Sequence, residues 1–290
     1  MMIFSIKWYS RKSTLINSML GQKIAITSPK PQTTRTRVRG ILNRESSQIV
    51  FVDTPGFHQG HKRALNKYMN RVALNSIEGV DIVLFMIESL KFDEEDNFLL
   101  KQIFKNTKEV ILVINKIDKT TSKNDLLPFI RSLSESFNFA EIVPISALKK
   151  TNIEDLEQAI ILRLPKGKHL YQEDQVTDKT ERFLASEIIR EKCITRVGDE
   201  IPYRLAVVID QYYEEKRITH IVATLFVEKN SQKGIVIGKN GKRLKAIGTA
   251  ARKDLENMLK SKVMLRLWVK VKKDWTDNKV SMNTMGYEVA

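Results

Sequence analysis

With 290 residues, 42% of them apolar, and only 12 glycines and 7 prolines, the chain has material for two packed domains and lacks the composition of a disordered, collagen-like or low-complexity protein. Its 49 lysines and arginines against 34 acids leave a charge of +15, which suits a polyanionic partner, either nucleic acid or an acidic membrane surface. The single cysteine, Cys193, allows no internal disulfide and fits a reducing cytosol; the longest apolar run, Val80 to Ile87, is too short to span a bilayer, and Met1 to Ile6 lacks the basic flank and cleavage site of a signal peptide.

Between about residues 38 and 163, short β-rich runs alternate with helical patterns, the grammar of a doubly wound α/β domain. Strands are expected at Val38 to Leu42, Gln48 to Val52, Asp81 to Ile87, Val110 to Ile114 and Glu141 to Ile145, most of them continuously apolar as in a sheet covered on both faces. Helices are expected near 62 to 77, 94 to 106, 125 to 136 and 152 to 163. The polar stretch Leu164 to Asp178 reads as a linker, which divides the chain into a first domain over 1–163 and a second over 179–274, with a carboxy-terminal tail over 275–290. In the second domain the expected order is a helix at Thr180 to Ile194, strands at Tyr203 to Asp210 and Ile218 to Glu228, a Gly-rich turn, a helix at Lys242 to Lys260 and a strand at Val263 to Val271. Leu244, Ile247, Ala251, Leu255 and Met258 fall on one face of the second helix. Trp268 alternates with Val269 and Lys270 in its strand, which more often places such a residue in the core than makes it an RNA platform, and Cys193 is expected to be packed rather than reactive.

Three short signals follow strand candidates in the first domain, where open α/β sheets place ligands. In Asp53-Thr54-Pro55-Gly56 the carboxylate can hold Mg2+ through water and the glycine N–H can meet a γ-phosphate, although the same four residues also suit an ordinary turn. In Asn115-Lys116-Ile117-Asp118 the Asp118 carboxylate can accept both donors on the guanine edge, which adenine does not present, while the Lys116 stem covers the base. In Ser146-Ala147 the backbone N–H groups are placed to reach the guanine carbonyl. Upstream, Lys12 and Ser13 fit the end of a phosphate loop, as phosphate lysine and Mg2+ ligand, but Ile6 and Arg11 stand where that loop has glycines. Gln32-Thr33-Thr34-Arg35 reads as a switch loop, with Thr34 favoured over Thr33 as the hydroxyl that joins Mg2+ when a γ-phosphate is present. His58 and His61 have no cysteine or further ligand near them and read as switch-loop residues rather than a metal site.

The charge is uneven. Fourteen Lys or Arg against Asp254 and Glu256 lie between Lys229 and Lys273, and nine with no acid lie between Met1 and Arg44. Inside the first of these clusters, Gly238-Lys239-Asn240-Gly241 has the form of the GXXG loop with which KH domains clamp single-stranded RNA, flanked by Lys233, Lys242 and Arg243. A lone GXXG is more often a flexible turn; the basic flanks and the α, β, β, α, β order favour RNA.

From Lys12 to its end the sequence resembles the Era family of bacterial GTPases. The likeness is carried by Lys12-Ser13-Thr14-Leu15, Gly21-Gln22-Lys23, Gln32 to Arg35, Asp53 to Gly56, Asn115 to Asp118, Ser146-Ala147, Val197 to Tyr203 and the Gly238 to Gly241 loop. It implies a Ras-like P-loop GTPase domain followed by a type II KH domain. It implies GTP and GDP with Mg2+ as ligands, with Lys12, Ser13, Thr14, Asp53, Thr54, Pro55, Gly56, Asn115, Lys116, Asp118, Ser146 and Ala147 on the nucleotide, and Lys12, Thr34 and Gly56 at the reacting phosphate. It further implies small-subunit ribosomal RNA and the 30S subunit as partners, cytoplasmic location with peripheral contact to the membrane, and a monomer. Phe57 replaces the glutamine that orients water in other GTPases, so turnover is expected to be slow and to respond to a partner or a monovalent cation. The first eleven residues match neither the family's strand and glycines nor its asparagine where Tyr9 stands. Because Asp53, Asn115 and Asp118 are intact, a mis-assigned start or frameshift upstream of Lys12 is favoured over a degenerate GTPase. Two readings from other classes stay open: an RNA-binding protein whose GTPase domain no longer binds nucleotide, and a membrane-surface GTPase.

Overall fold

The computed structural model describes residues 2–4, 12–28, 33–56, 63–76, 79–107, 109–120, 123–198 and 201–287. The chain divides into two units, one of Met1–Ala25, Thr34–His58 and Met69–Asp178, the other of Ile26–Thr33, Gln59–Tyr68 and Lys179–Ala290.

The first unit is built on strands β1 (Met2–Phe4), β2 (Val38–Arg44), β3 (Ser47–Asp53), β4 (Ile82–Glu88), β5 (Val110–Asn115) and β6 (Glu141–Pro144), in the order β2-β3-β1-β4-β5-β6. All neighbours are parallel except β2 and β3. Helices α1 (Lys12–Leu20), α3 (Glu94–Asn106), α4 (Leu126–Ser136), α5 (Ile153–Ile161) and the end of α2 (Ala64–Asn75) belong to this unit. Residues Ile82 to Ile87 and Val110 to Ile114 are fully buried, which is why these strands are apolar without alternation. Helix α3 starts at a capping box in which the Asp93 carboxylate accepts the Asp96 N–H at 3.0 Å and Asp96 returns the contact at 3.1 Å.

Two features of this unit differ from the sequence reading. Met2–Phe4 forms a strand at the centre of the sheet, paired with β3 on one side and β4 on the other, where the sequence reads as a departure from the family's first strand. Three residues are too few to register as a pattern. The segment expected to be a free linker, 164–178, instead runs along the outer edge of β2: Ile41 N–H donates to Val176 O at 2.9 Å and Gly40 bridges to Thr177. Gln48 holds it, its Oε1 accepting the Leu170 and Tyr171 N–H groups at 2.8 and 3.0 Å and its Nε2 donating to Tyr171 O at 2.9 Å. The segment meets the sheet mainly through its main chain, with the Thr177 and Asp178 side chains bonding Arg39, so it covers a strand edge that would otherwise be left unpaired while most of its polar side chains stay exposed.

In the second unit, β7 (Ala206–Glu215), β8 (Ile218–Val227) and β9 (Lys262–Val271) form a sheet in that order, β7 antiparallel and β9 parallel to β8. Helices α6 (Glu181–Ile194), α7 (Asn230–Ile237) and α8 (Lys242–Leu259) pack on one face of it around Ile189, Leu225, Val236, Ile247, Ala251 and Leu255. Cys193 is buried in this core, where burial pushes its thiol up to about 12, so it is packed and not a nucleophile. Residues 26–33 belong to the same unit: the Glu191 carboxylate accepts the Thr27 N–H at 3.1 Å and the Arg190 guanidinium donates to the Thr33 carbonyl.

Here too the structure corrects the sequence reading. The first strand begins at Ala206, not Tyr203, because Pro202–Arg204 is a 3-10 turn and proline has no N–H for a ladder. Half of the supposed Gly-rich turn is helix α7. The supposed tail is packed as far as Tyr287: Trp275 is fully buried, donates its indole N–H to Arg204 O at 3.0 Å and stacks on Tyr287, and Lys279–Thr284 forms α9. Trp268, expected in the core, is 59% exposed. Among the described residues no helix is long and apolar enough to cross a membrane.

Replacing Gln48 by alanine removes all three of its bonds to residues 170 and 171. The expected cost is about 1–3 kcal/mol, read as a lower urea midpoint together with faster protease cleavage between 164 and 178; an unchanged cleavage rate would show that the segment is held elsewhere.

Candidate functional site

The first cluster forms where β3 ends and α1 begins. The apolar run Ile49 to Val52 fixes β3 inside the sheet, so that Asp53 emerges at its carboxyl end, 1% exposed. The first turn of α1 brings Lys12 and Ser13 against it. Ser13 Oγ donates to Asp53 Oδ2 at 2.7 Å, Thr34 Oγ1 donates to the same oxygen at 3.1 Å, and the two hydroxyls lie 3.2 Å apart. Lys12 Nζ donates to Thr54 O at 2.9 Å. Burial raises the Asp53 carboxyl above its usual range, opposed by the Lys12 charge and the two hydroxyls, and burial lowers Lys12 to about 8. Each group is therefore only partly compensated by the other, and each would gain from an added counter-charge.

Asp53 Oδ1 has no hydrogen-bond partner among the described residues. Hydroxyl and carboxylate oxygens are the donors a hard cation such as Mg2+ takes, usually keeping several waters, and an unused buried carboxylate oxygen is placed to accept one of those waters. The residues fit the ion. Thr54, Pro55 and Gly56 continue from Asp53 as buried backbone, and Thr14 follows Ser13 in the first turn of α1. Ile6, Arg11, Phe57, His58 and His61 lie outside the described residues.

A second cluster forms at the ends of β5 and β6. The Asn115 carboxamide, 1% exposed, accepts the Lys116 N–H at 2.7 Å and the Ala147 N–H at 3.0 Å, tying the two loops together. Ser146 Oγ donates to Asp118 Oδ1 at 2.5 Å, holding an exposed carboxylate in one orientation. This alters the role expected for Ser146 and Ala147. Ser146 N–H is spent on Thr151 O at 3.2 Å and Ala147 N–H on Asn115, so a guanine carbonyl would share the Ala147 donor, and the clearer contribution of the pair is the Ser146 hydroxyl. Lys116 sits in the left-handed region at φ 67°, uncommon for a lysine.

In the second unit, α7 ends at Gly238 (φ 72°), Asn240 and Gly241 are also left-handed, and α8 starts at Lys242. The two glycines serve different needs. A Cβ on Gly238 would lie 2.7 Å from Arg243 Cβ, so this glycine lets the helix ends meet, whereas Gly241 has open space and needs only its φ of 73°. Arg243 donates to the Ile235 carbonyl, so part of its charge secures the loop. On one side of the loop a groove of about 390 Å³ runs between Gly241, then Leu244, Lys245 and Arg252 of α8, and Leu265 and Leu267 of β9. On the other a cavity of about 440 Å³ gathers Arg196, Lys239, Lys242 and Arg243. Lys233, on α7, lines neither. Sequence reading missed Arg196, Leu265 and Leu267, because only the fold brings them to the loop.

A family model described as a KH domain matches residues 200–276, and one described as a 50S ribosome-binding GTPase matches 12–116. The GTPase Era of Nitrosomonas eutropha is 48% identical over 96% of this chain and 93% of its own, and that of Pseudomonas aeruginosa 46% over 95% and 90%. The chain belongs to the Era family of GTPases. A crystal structure of Era in complex with MgGDPNP and nucleotides 1506–1542 of 16S ribosomal RNA superposes with a TM-score of 0.96, covering 99% of this chain and 98% of that one at 39% identity. As an Era-family member it is a GTPase with a Ras-like domain and a KH domain, and the expected fold class holds throughout.

Glu88, at the end of β4, is a member of the base-side cluster that sequence reading did not single out. Its carboxylate pairs with Lys116 Nζ at 2.7 Å and with Lys91 Nζ at 3.3 Å. It thereby holds the lysine whose stem is expected from the sequence to cover the base, at a residue whose backbone is already strained. Glu88→Gln removes the charge but not the shape. It should speed dissociation of a fluorescent guanine nucleotide about fivefold, measured by stopped flow; an unchanged off-rate would remove Glu88 from the site.

Proposed function

We propose that this chain is a GTP-switched RNA-binding protein of 30S ribosomal subunit assembly, which binds small-subunit ribosomal RNA near its 3′ end through the KH domain. The observation that carries the nucleotide half is the convergence of Ser13, Thr34 and Asp53 within 3.2 Å, beside a buried lysine. Lys12 neutralises the β- and γ-phosphates, Ser13 and Thr34 ligate Mg2+, Asp53 orders its water, and Thr14, Thr54, Pro55 and Gly56 border the phosphates, with the Gly56 N–H facing the γ-phosphate. Bound Mg2+ supplies charge neutralisation of the phosphate oxygens. Asn115, Lys116 and Asp118, steadied by Ser146 and Ala147, read guanine.

Thr34 is the next residue after Thr33, whose carbonyl is held by Arg190 of α6. A γ-phosphate that orders Thr34 thus acts on a segment anchored to the RNA-binding unit, which supports control of RNA binding by the nucleotide state. For the RNA, Gly238, Lys239, Asn240 and Gly241 form the clamp, Lys242 and Arg243 add charge beside it, and Lys233 contributes from α7. The charge of +15 also suits peripheral contact of a cytoplasmic monomer with the anionic membrane face.

Asp118→Asn replaces one acceptor by a donor and should shift preference from GTP toward xanthosine triphosphate, read by competition against a fluorescent nucleotide; unchanged base preference would refute the guanine-reading role. Changing Lys239 and Asn240 together to aspartate should weaken single-stranded RNA binding at least tenfold and flatten its salt dependence, and unaltered affinity and slope would mean that the loop is not the clamp.

A further inference from the structure

Strand β9 carries different chemistry on its two faces. Val263 and Val269 belong to the core beneath α8, while Leu265, Leu267 and Val271 pack against it. Side chains alternate along a strand, so Lys262, Met264, Arg266, Trp268 and Lys270 point to the opposite face, and all five are exposed. Across the ladder His220 faces Met264, Val222 faces Arg266, Thr224 faces Trp268 and Phe226 faces Lys270. Beyond them, Tyr213 of β7, 47% exposed, stacks on His220 with ring centres 4.9 Å apart and planes 3° from parallel. The helices α6, α7 and α8 contribute to the core on the other face.

An indole that is 59% exposed, a stacked aromatic pair and a row of three cations lie together on this sheet face, outside the core beneath the helices. The charges choose the occupant and its path. Strand β9 contains no acid, whereas Asp210, which accepts the Thr224 hydroxyl at 2.7 Å, and Glu215 lie on β7. An anionic chain is therefore favoured over β9 and β8 and opposed at the β7 edge. Exposed rings beside cations are the composition of a single-strand platform, in which bases stack on the rings and phosphates meet the charges. The groove opens at this same strand, through Leu265 and Leu267, so a chain leaving it needs only to pass the β9 edge to reach Arg266 and Trp268.

We propose that the open face of the KH sheet is a second single-stranded RNA surface, continuous with the groove around the β9 edge, on which Trp268 stacks a base while Arg266 and Lys270 hold the phosphates on either side of it. The continuity rests on the reading that the groove takes RNA; the stacking surface has its own readout.

The test compares the intact chain on an unstructured RNA of about four nucleotides, the length a KH groove clamps, with one of roughly twelve. Trp268→Leu and Arg266→Glu should each weaken the longer RNA roughly tenfold and leave the shorter unchanged, and Trp268→Phe, which keeps a ring, should restore most of the loss. The longer RNA should quench tryptophan emission in the unaltered chain and not in Trp268→Phe. Equal binding of the longer RNA by Trp268→Leu overturns the proposal, as does an equal loss on both lengths, which would mark a fold or groove effect. The aspartate pair at Lys239 and Asn240 reports on the groove separately: unaltered binding of both lengths in that variant overturns the groove reading and not the stacking surface.

Discussion

A carboxylate that is 1% exposed is costly to leave charged, and the nucleotide domain is arranged around one. Asp53 is fixed by a deeply buried strand of the sheet. Its Oδ2 is satisfied by two hydroxyls from segments 19 and 40 residues away, and its charge is opposed by Lys12. Burial lowers the lysine and raises the carboxyl, so neither is comfortable with the other alone. A triphosphate with a divalent cation answers both deficits at once, the anion at Lys12 and the cation at Asp53. The site is held by secondary structure on one side and, on the other, by Thr34, the residue proposed to act as its switch.

The base and RNA sites share a different constraint, a main chain in the left-handed region at residues that are not glycine. Lys116 and Asn240 both adopt it, at φ 67° and 51°. Such conformations cost on the order of 1 kcal/mol and persist where the surroundings fix them. At Lys116 the fixing comes from Asn115 on the N–H and Glu88 on the ammonium. At Asn240 it comes from two helices that meet because Gly238 has no Cβ, which would lie 2.7 Å from Arg243 Cβ. The sequence shows the glycines; the reason each is needed is visible only in three dimensions.

Legibility followed length and locality. Buried strands such as Ile82–Glu88 and Val110–Asn115 could be read from continuous apolar runs, and the inner face of α8 from its spacing, since Ile247, Ala251 and Leu255 are fully buried. The site motifs could be read because their residues are consecutive. What could not be read was short or non-local. Strand β1 has three residues and α7 contains Gly234, so neither produces a period. The segment 164–178 looked like a spacer because it is held mainly by main-chain hydrogen bonds, which leave no apolar pattern in the sequence. Ser146 and Asp118 are 28 residues apart, as are Glu88 and Lys116, and no spacing rule connects them.

Trp268 shows where alternation stops being informative. Its pattern with Val269 and Lys270 established a strand but not which set of residues faced inward, and an indole argued for the core. The register decides it. With Val263 and Val269 inside, a slip by one residue would bury Lys262, Arg266 and Lys270, so the outward position of residue 268 is fixed by its neighbours. The fold requires only that something stand there, and a threonine or lysine would meet that need without exposing a large ring to water. The position is therefore dictated by packing while the residue type is not, and the choice of tryptophan has to be explained by what the open face meets in solution.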